Sequence, residues 1–424
     1  MTPEIKQRIE QIRRGEVPEG YVKKRKVVIP QQWGLPQIKD IASISSGSTP
    51  NRNNSEYWNG NIAWVTTGEL SSGHVNHTSE LITVKAVKET KMRIYPQGTL
   101  LMAMYGQGKT RGTVAILEID AAVNQACAAI TVKDGKSKFL FYQLKNSYQD
   151  IRKLSNTGNQ ENLNADIIKT YQVPWAPDEE QERISTILTT KDKVIKLKEK
   201  RLAEKQRQKK YLMQQLLTGK KRLPGFSGAW KNIKLCEVLS ERKEKNIEQN
   251  LRICSVAVQK GVIDQIEHLG RSYAASDTSN YSVAHYGDII YTKSPTGDFL
   301  YGIVKQNLLQ ETVAVSPLYG VFTPMTFGLG YFLHTYFQSA ICAQNYLLPI
   351  VQKGAKNTIN ITNDTFISSK LYLPLDVEEQ KAIADTFIAA DREIDLLRQD
   401  IEQEKQKKKA LMQLLLTGIV RVKT

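Results

Sequence analysis

The chain repeats itself. Leu212 to Gly219 reads LMQQLLTG, and 199 residues later Leu411 to Gly418 reads LMQLLLTG. At the same spacing Gln181 matches Gln380, Ile184 matches Ile383, Asp192 matches Asp391, Ile195 matches Ile394, Leu197 matches Leu396 and Lys209-Lys210 matches Lys408-Lys409. Both copies open after a proline and an acidic pair, VPWAPDEEQ at 173–181 and LPLDVEEQ at 373–380. A self-match at one fixed period means that a single unit of about 200 residues occurs twice. Whatever this sequence folds into must accommodate a pseudo-twofold object.

Each repeated segment reads as a long helix. Leu188, Ile195, Leu202 and Leu216 lie on one seven-residue series interrupted by Lys209; Phe387, Ile394, Ile401 and Leu415 lie on its counterpart, interrupted by Lys408. A second series runs four residues earlier, from Ile184 to Leu212 and through Ile383, Ala390 and Leu397 to Leu411, as a coiled-coil seam requires. Leu217, Leu416, Met213 and Met412 complete the apolar ends. Acidic residues open each helix, and Gly219 and Gly418 close them, in keeping with the helix dipole and with glycine C-caps. At about 40 residues each helix is about 60 Å long and must bury its stripe on a partner. A hairpin needs only a short connection, whereas about 155 residues separate these two, enough for a domain. Periodicity alone also fits a dimerisation coil. The spacing predicts globule, helix, globule, helix, with the helices pairing antiparallel: residues 1–177, 178–222, 223–375 and 376–424.

The predicted globules are mixed α/β, so the class is α+β with two such heads in tandem. The first follows a short amphipathic helix bearing Ile5, Ile9 and Ile12, and carries strand-like runs NIAWVTT, GTLLMAMYG, GTVAILEI and CAAITV. The second carries RICSVAV, GDIIYTK, YGIVK and KLYLPL. One short helix is expected in each head, at FLFYQLKNSYQDIRKL and FGLGYFLHTYFQSAIC. Between strands lie loops rich in groups that bond phosphates and base edges. In the first head these offer Ser48, Thr49, Asn51, Arg52, Asn53, Asn54, Tyr57 and Trp58, and then Gln107, Lys109 and Arg111; in the second, Arg271, Tyr273, Lys293, Ser294 and Thr296. Such residues also simply make turns.

The formal charge is +16. The first head contributes +8, from 23 Lys and Arg against 15 Asp and Glu; the second contributes +2, from 13 against 11. A surplus of this kind suits a polyanion such as nucleic acid, or an anionic surface. Cys127, Cys236, Cys254 and Cys342 have no paired spacing, so neither a disulfide framework nor a cysteine zinc site is indicated. No stretch approaches the roughly 18 apolar residues of a membrane span, and the opening MTPEIKQRIEQIRRGEVPEG lacks the apolar run of a secretory signal, so a cytoplasmic location is expected. AMYGQGKT at 103–110 fits a relaxed phosphate-loop pattern, but strand-like RGTVAILEID follows where a helix should begin. His74 and His77 sit in a polar turn with no third metal ligand at a recognisable spacing. No catalytic constellation emerges and no metal is expected.

The order of these pieces resembles the specificity subunits of type I restriction-modification enzymes. The resemblance is carried by VPEGYVKKRKVVIPQQW, GSTPNRNNSEYWNGNIAWVTTGEL, GTLLMAMYGQGKTRGTVAI with NQACAAI, the junctions GNQENLNADIIKTYQVPWAPDEEQ and GAKNTINITNDTFISSKLYLPLDVEEQ, and the two LMQ(Q/L)LLTG ends. It implies two target-recognition domains, each reading half of an interrupted, asymmetric site on double-stranded DNA, spaced by the paired helices. It implies no catalytic centre in this chain and no cofactor bound by it; S-adenosylmethionine, ATP and magnesium would sit on partners, two methyltransferase subunits and, in the full complex, two restriction subunits. Leu212, Met213, Leu216, Leu217 and their counterparts Leu411, Met412, Leu415 and Leu416 would build the bundle and the methyltransferase seat. A stand-alone NTPase using Lys109, a nuclease, or a nonspecific DNA-bridging coil are the alternatives.

Overall fold

The computed structural model describes residues 2–106, 108–154, 162–271, 274–353 and 359–422. The chain divides into two units, Met1–Lys198 with Asp400–Thr424, and Glu199–Gln399. Each unit therefore contains one head, one end of the helix Asp178–Leu216 and one end of the helix Val377–Leu416.

In the first unit the head is built on a five-stranded sheet ordered Ala42–Ser46, Cys127–Val132, Leu100–Ala103, Val114–Leu117 and His74–Val75. A second sheet orders Glu80–Ile82, Trp58–Val65 and Ala121–Val123, the last two strands parallel. Leu100, Met102, Val114 and Ile116 point to one face, where Phe139, Leu140 and Leu144 of the helix Ser137–Asn146 cover them. Leu101, Ala103, Ala115 and Leu117 point to the other, against Val65, Ala121 and Val123 of the second sheet. The period-two alternation of side chains thus feeds two cores, which is why these strands read as unbroken apolar runs.

The second unit repeats this plan. Its first sheet orders Leu239–Glu241, Gly320–Pro324, Ile289–Tyr291 and Val304–Gln306, with the same antiparallel neighbours as the first four strands of the other head. Its second sheet pairs Arg252–Ala257 parallel with Val313–Val315, as Trp58–Val65 pairs with Ala121–Val123. The helix Phe327–Tyr336 covers the first sheet as Ser137–Asn146 does in the other head.

The expected strands are all present. The single helix expected in each head is two: Ser137–Asn146 then Tyr148–Lys153, and Phe327–Tyr336 then Ala340–Leu347. In the second head Ser339 stops the run, its side chain accepting from the Cys342 amide and capping the next helix. Ile5, Ile9 and Ile12 lie on the N-terminal helix Pro3–Arg13 and are only half-buried.

Within the first unit Ile184 and Leu188 pack with Met412, Leu415 and Leu416, while Lys191 pairs with Glu404 and Lys198 with Asp400. As one helix ascends in number the other descends, so the pairing is antiparallel. Within the second unit Leu212, Met213 and Leu216 pack with Ile383 and Phe387, and Lys205 pairs with Glu393, in the same sense. Ile195, Ile394 and Ile401 are buried, while Leu202 and Leu411 are half-buried.

Candidate nucleic-acid interface

The loops carrying the candidate residues fall at definable places. Lys109 and Arg111 lie between the antiparallel strands Leu100–Ala103 and Val114–Leu117; Lys293, Ser294 and Thr296 lie between Ile289–Tyr291 and Val304–Gln306. These are the same hairpin in the two heads. A hairpin cannot present a helix N-terminus to phosphates, so the Lys109 loop is not a phosphate loop. Two groups of the helix Tyr148–Lys153 hold it: Tyr148 Oη donates to the Lys109 carbonyl at 2.7 Å, and Arg152 donates to the carbonyls of Gly108 and Arg111 at 2.9 and 2.7 Å. Lys109 is exposed, whereas Arg111 is buried. In the second hairpin Lys293 adopts a φ of +57°, a left-handed conformation rare for a lysine. Burial pulls its ammonium pKa below the ordinary lysine value. Gly302 lies opposite, and a Cβ there would come within 2.8 Å of the Lys293 amide nitrogen. Ser294 and Thr296 are exposed at the tip. Gln107 and Tyr273 lie outside the described residues.

The Ser48–Trp58 loop is tied internally. Arg52 stacks over Trp58, 4.2 Å from the ring centroid, and forks onto the Glu80 carboxylate, with Nη2 to Oε2 at 3.1 Å. Hydrogen bonding from Arg52 holds the Glu80 pKa below the usual carboxylate range. Trp58 donates to the Asn51 carbonyl, Tyr57 to Glu89 at 2.7 Å, and Thr49 to Gln125. The Ser48 carbonyl accepts from the Trp64 indole at 3.1 Å. Asn51 and Asn54 accept from the amides of Asn53 and Glu56. Asn51, Arg52 and Asn53 remain exposed. The counterpart of this loop in the second head joins Leu239–Glu241 to Arg252–Ala257, so it is the segment 242–251 and not the Arg271 loop. Arg271 is exposed and follows the helix Gln265–Leu269. His74 lies 2.8 Å from Glu118, and His77 lies 2.6 Å from Asn76.

The seam between long helices and heads holds two matched polar latches in each unit. At the end latch of the first unit, fully buried Glu180 accepts from the Trp33 indole at 2.9 Å and from the Arg421 guanidinium at 2.8 Å. In the second unit Glu379 accepts from the Trp230 indole at 3.0 Å and the Arg222 guanidinium at 2.5 Å. Next in sequence, Gln181 and Gln380 donate to the carbonyls of Ala176 and Pro374, which is the physical content of the repeated EEQ. Gly418 and Gly219 end the helices at φ +73° and +68°; a Cβ on Gly418 would strike Pro30 at 2.5 Å.

The second latch falls on the seam interruptions. Tyr142 Oη donates to Asp192 Oδ2 at 2.8 Å, and Lys408 pairs with the other oxygen of the same carboxylate. Tyr331 Oη donates to Asp391 Oδ2 at 3.0 Å, and Lys209 pairs with that carboxylate while also donating to Gln338 at 2.9 Å. Burial first, and the neighbouring aspartate second, raise both tyrosine pKa values. Three residues after each tyrosine stands a further base, exposed Lys145 in the first unit and buried His334 in the second, each with its pKa lowered by desolvation. In the second unit burial also pushes Lys305 down to about 8. In the sequence Asp192, Asp391, Lys209 and Lys408 stand out only as repeat matches, and neither tyrosine is marked by the repeat. The signal was there: charges at matched positions in an apolar seam.

Two head sheets of one topology, each mounted on an antiparallel helix pair, define a duplicated two-headed class of protein. The family model described as Type I restriction modification DNA specificity domain matches residues 30–207 and again 210–406, so the chain belongs to that family, with two target-recognition domains. It is 23% identical over 429 residues to the type I restriction enzyme MjaVIII specificity subunit of Methanocaldococcus jannaschii, covering 93% of this chain and 94% of that protein. It is 34% identical to the MjaIX specificity subunit of the same organism over 178 residues, a match spanning 41% of this chain and 40% of that one. The crystal structure of a type I restriction-modification S subunit from M. genitalium superposes over 93% of this chain and 98% of its own at 12% identity, with a TM-score of 0.58. A structure concerned with complex assembly and conformational transition of the type I system gives 0.54 at 15% identity, over 92% and 99%. Among the described residues no helix is long and apolar enough to cross a membrane.

Proposed function

We propose that this chain reads a bipartite, asymmetric DNA site, each head recognising one half, and that it carries no chemistry of its own. Its partners are then two methyltransferase subunits and, in the full complex, two restriction subunits, which bring S-adenosylmethionine, ATP and magnesium. The observation that carries the reading is one scaffold made twice with unlike loops: the same hairpin bears exposed Lys109 in one head and exposed Ser294 and Thr296 in the other. Identical mountings with different tips suit two different half-sites. The charge of +8 on the first head supplies nonspecific attraction to phosphates. With +2, the second depends more on placed contacts.

The seat for two copies of one partner needs two equivalent surfaces. The seam leucines are spent inside each unit, but Leu197 and Leu396, matched in the repeat, are 64% and 56% exposed on the long helices. Large apolar side chains left in water at two repeat-related places suit two equivalent contacts with one kind of partner. Mapping of methylated bases in cells that make this chain with its cognate methyltransferase subunits tests the reading. One motif of two fixed halves separated by a fixed unread gap is expected; methylation without such a motif contradicts it.

A further inference from the structure

We propose that Tyr142 with Asp192 and Lys408, and Tyr331 with Asp391 and Lys209, are positioning residues that fix the angle of each head on its helix pair, and so set how strictly the gap between half-sites is read. The inference rests on the bipartite reading above. In each unit one carboxylate joins three separate elements: a tyrosine from a head helix, an aspartate from the long helix that follows that head, and a lysine from the other long helix. The other polar joints between head and helices, the glutamate end latch and the bonds of Gln143 to the Leu416 carbonyl and of Thr326 to Gln380, sit at the helix ends. The packing between them and the tyrosine is apolar, which tolerates sliding and rotation. A hydrogen bond from a buried tyrosine to a half-buried carboxylate has a narrow geometry and loses its value when the head turns.

The placement argues the same way. A leucine at 209 or 408 would continue the seam begun by Leu188, Ile195 and Leu202, or by Phe387, Ile394 and Ile401. Instead a lysine stands where a head tyrosine reaches the seam, in both units, although the heads differ in their loops. Both tyrosines are 3% exposed and Lys408 is 7% exposed. A single polar residue in an apolar seam costs stability and specifies register. Here the specified quantity includes the head, because Tyr142 also lies 3.4 Å from Thr189 and Gln338 shares Lys209 with Asp391.

The test pairs Tyr142→Phe with Tyr331→Phe in the complex with cognate methyltransferase subunits and maps methylated sites genome-wide. Both half-sites stay unchanged, while methylation at sites whose gap is one base pair longer or shorter rises about tenfold over the parent, the worth of one hydrogen bond to a charged acceptor. If the phenylalanine pair does not assemble, Tyr331→Phe with Asp391→Leu and Lys209→Met replaces one latch by apolar groups of similar volume and carries the same expectation. A gap as strict as the parent's in whichever complex assembles overturns the proposal, even if overall methylation falls. A parent complex that shows no bipartite motif would instead overturn the function reading itself.

Discussion

The two units share a frame and differ in what they hang on it. The order of four strands in the first sheet, the parallel pair in the second sheet, the covering helix, the glutamate end latch and the Tyr–Asp–Lys latch coincide, while the sheet edges, the loops, the net charge and the buried bases do not. The first head stacks Arg52 on Trp58 beside Glu80; the second instead anchors Arg242 on Asp288 and Thr323 at the start of the counterpart loop. The likeness lies at the helix pair and in the sheets, and the differences lie in the loops.

Several substitutions sharpen that division. Glu379→Ala strands the Arg222 guanidinium and the Trp230 indole, and Glu180→Ala strands Arg421 and Trp33. The glutamate is buried but the guanidinium left behind is part-exposed, so each change costs about 2–3 kcal/mol. Arg222 is 24% exposed against 36% for Arg421, so the loss is larger in the second unit, read by thermal unfolding of each variant. Negligible losses would deny the latches their role, and equal losses would deny that exposure of the arginine grades it. Leu197→Glu and Leu396→Glu should each weaken capture of the methyltransferase subunit about tenfold or more, with unfolding unchanged. Binding that survives both would move the seat elsewhere.

Lys305 separates the units by pH. Burial lowers its pKa to about 8, while the unfolded chain keeps its proton to about 10.5. At pH 7 both states are protonated and the native state carries the full cost of a buried charge. Between 8 and 10.5 the unfolded chain binds more protons, so native stability rises with pH. Lys305→Met should therefore stabilise by about 2 kcal/mol at pH 7 and by less at pH 9.5, as chemical unfolding at the two values would show. A gain independent of pH would exclude a buried charge as its cause. The smallest effect belongs to Arg52→Ala, an exposed stack and ion pair worth about 1 kcal/mol of first-unit stability.

Much of the frame was legible in the sequence because it depends on periodicity. The 199-residue repeat, the seven-residue seam and the two-residue alternation of GTLLMAMYG and GTVAILEI each report a buried face. What was not legible depends on three-dimensional neighbours. Lys209 and Lys408 looked like breaks in a stripe because a heptad pattern counts one helix and is silent about a tyrosine arriving from a head. Arg52 looked like a free donor because its partner, Glu80, lies 28 residues away on a neighbouring strand. The Arg271 loop resembled the Ser48 loop in composition, yet topology assigns that place to 242–251. Composition reports solvent exposure and says little about which strands a loop joins.

Exchange of residues 1–177 for the corresponding segment of another specificity subunit, followed by mapping of methylated bases, addresses the central claim most directly. Replacement of one half of the recognised motif, with the other half retained, is the expected result. Both halves changing together, or neither, would contradict two independent readers on a common mount.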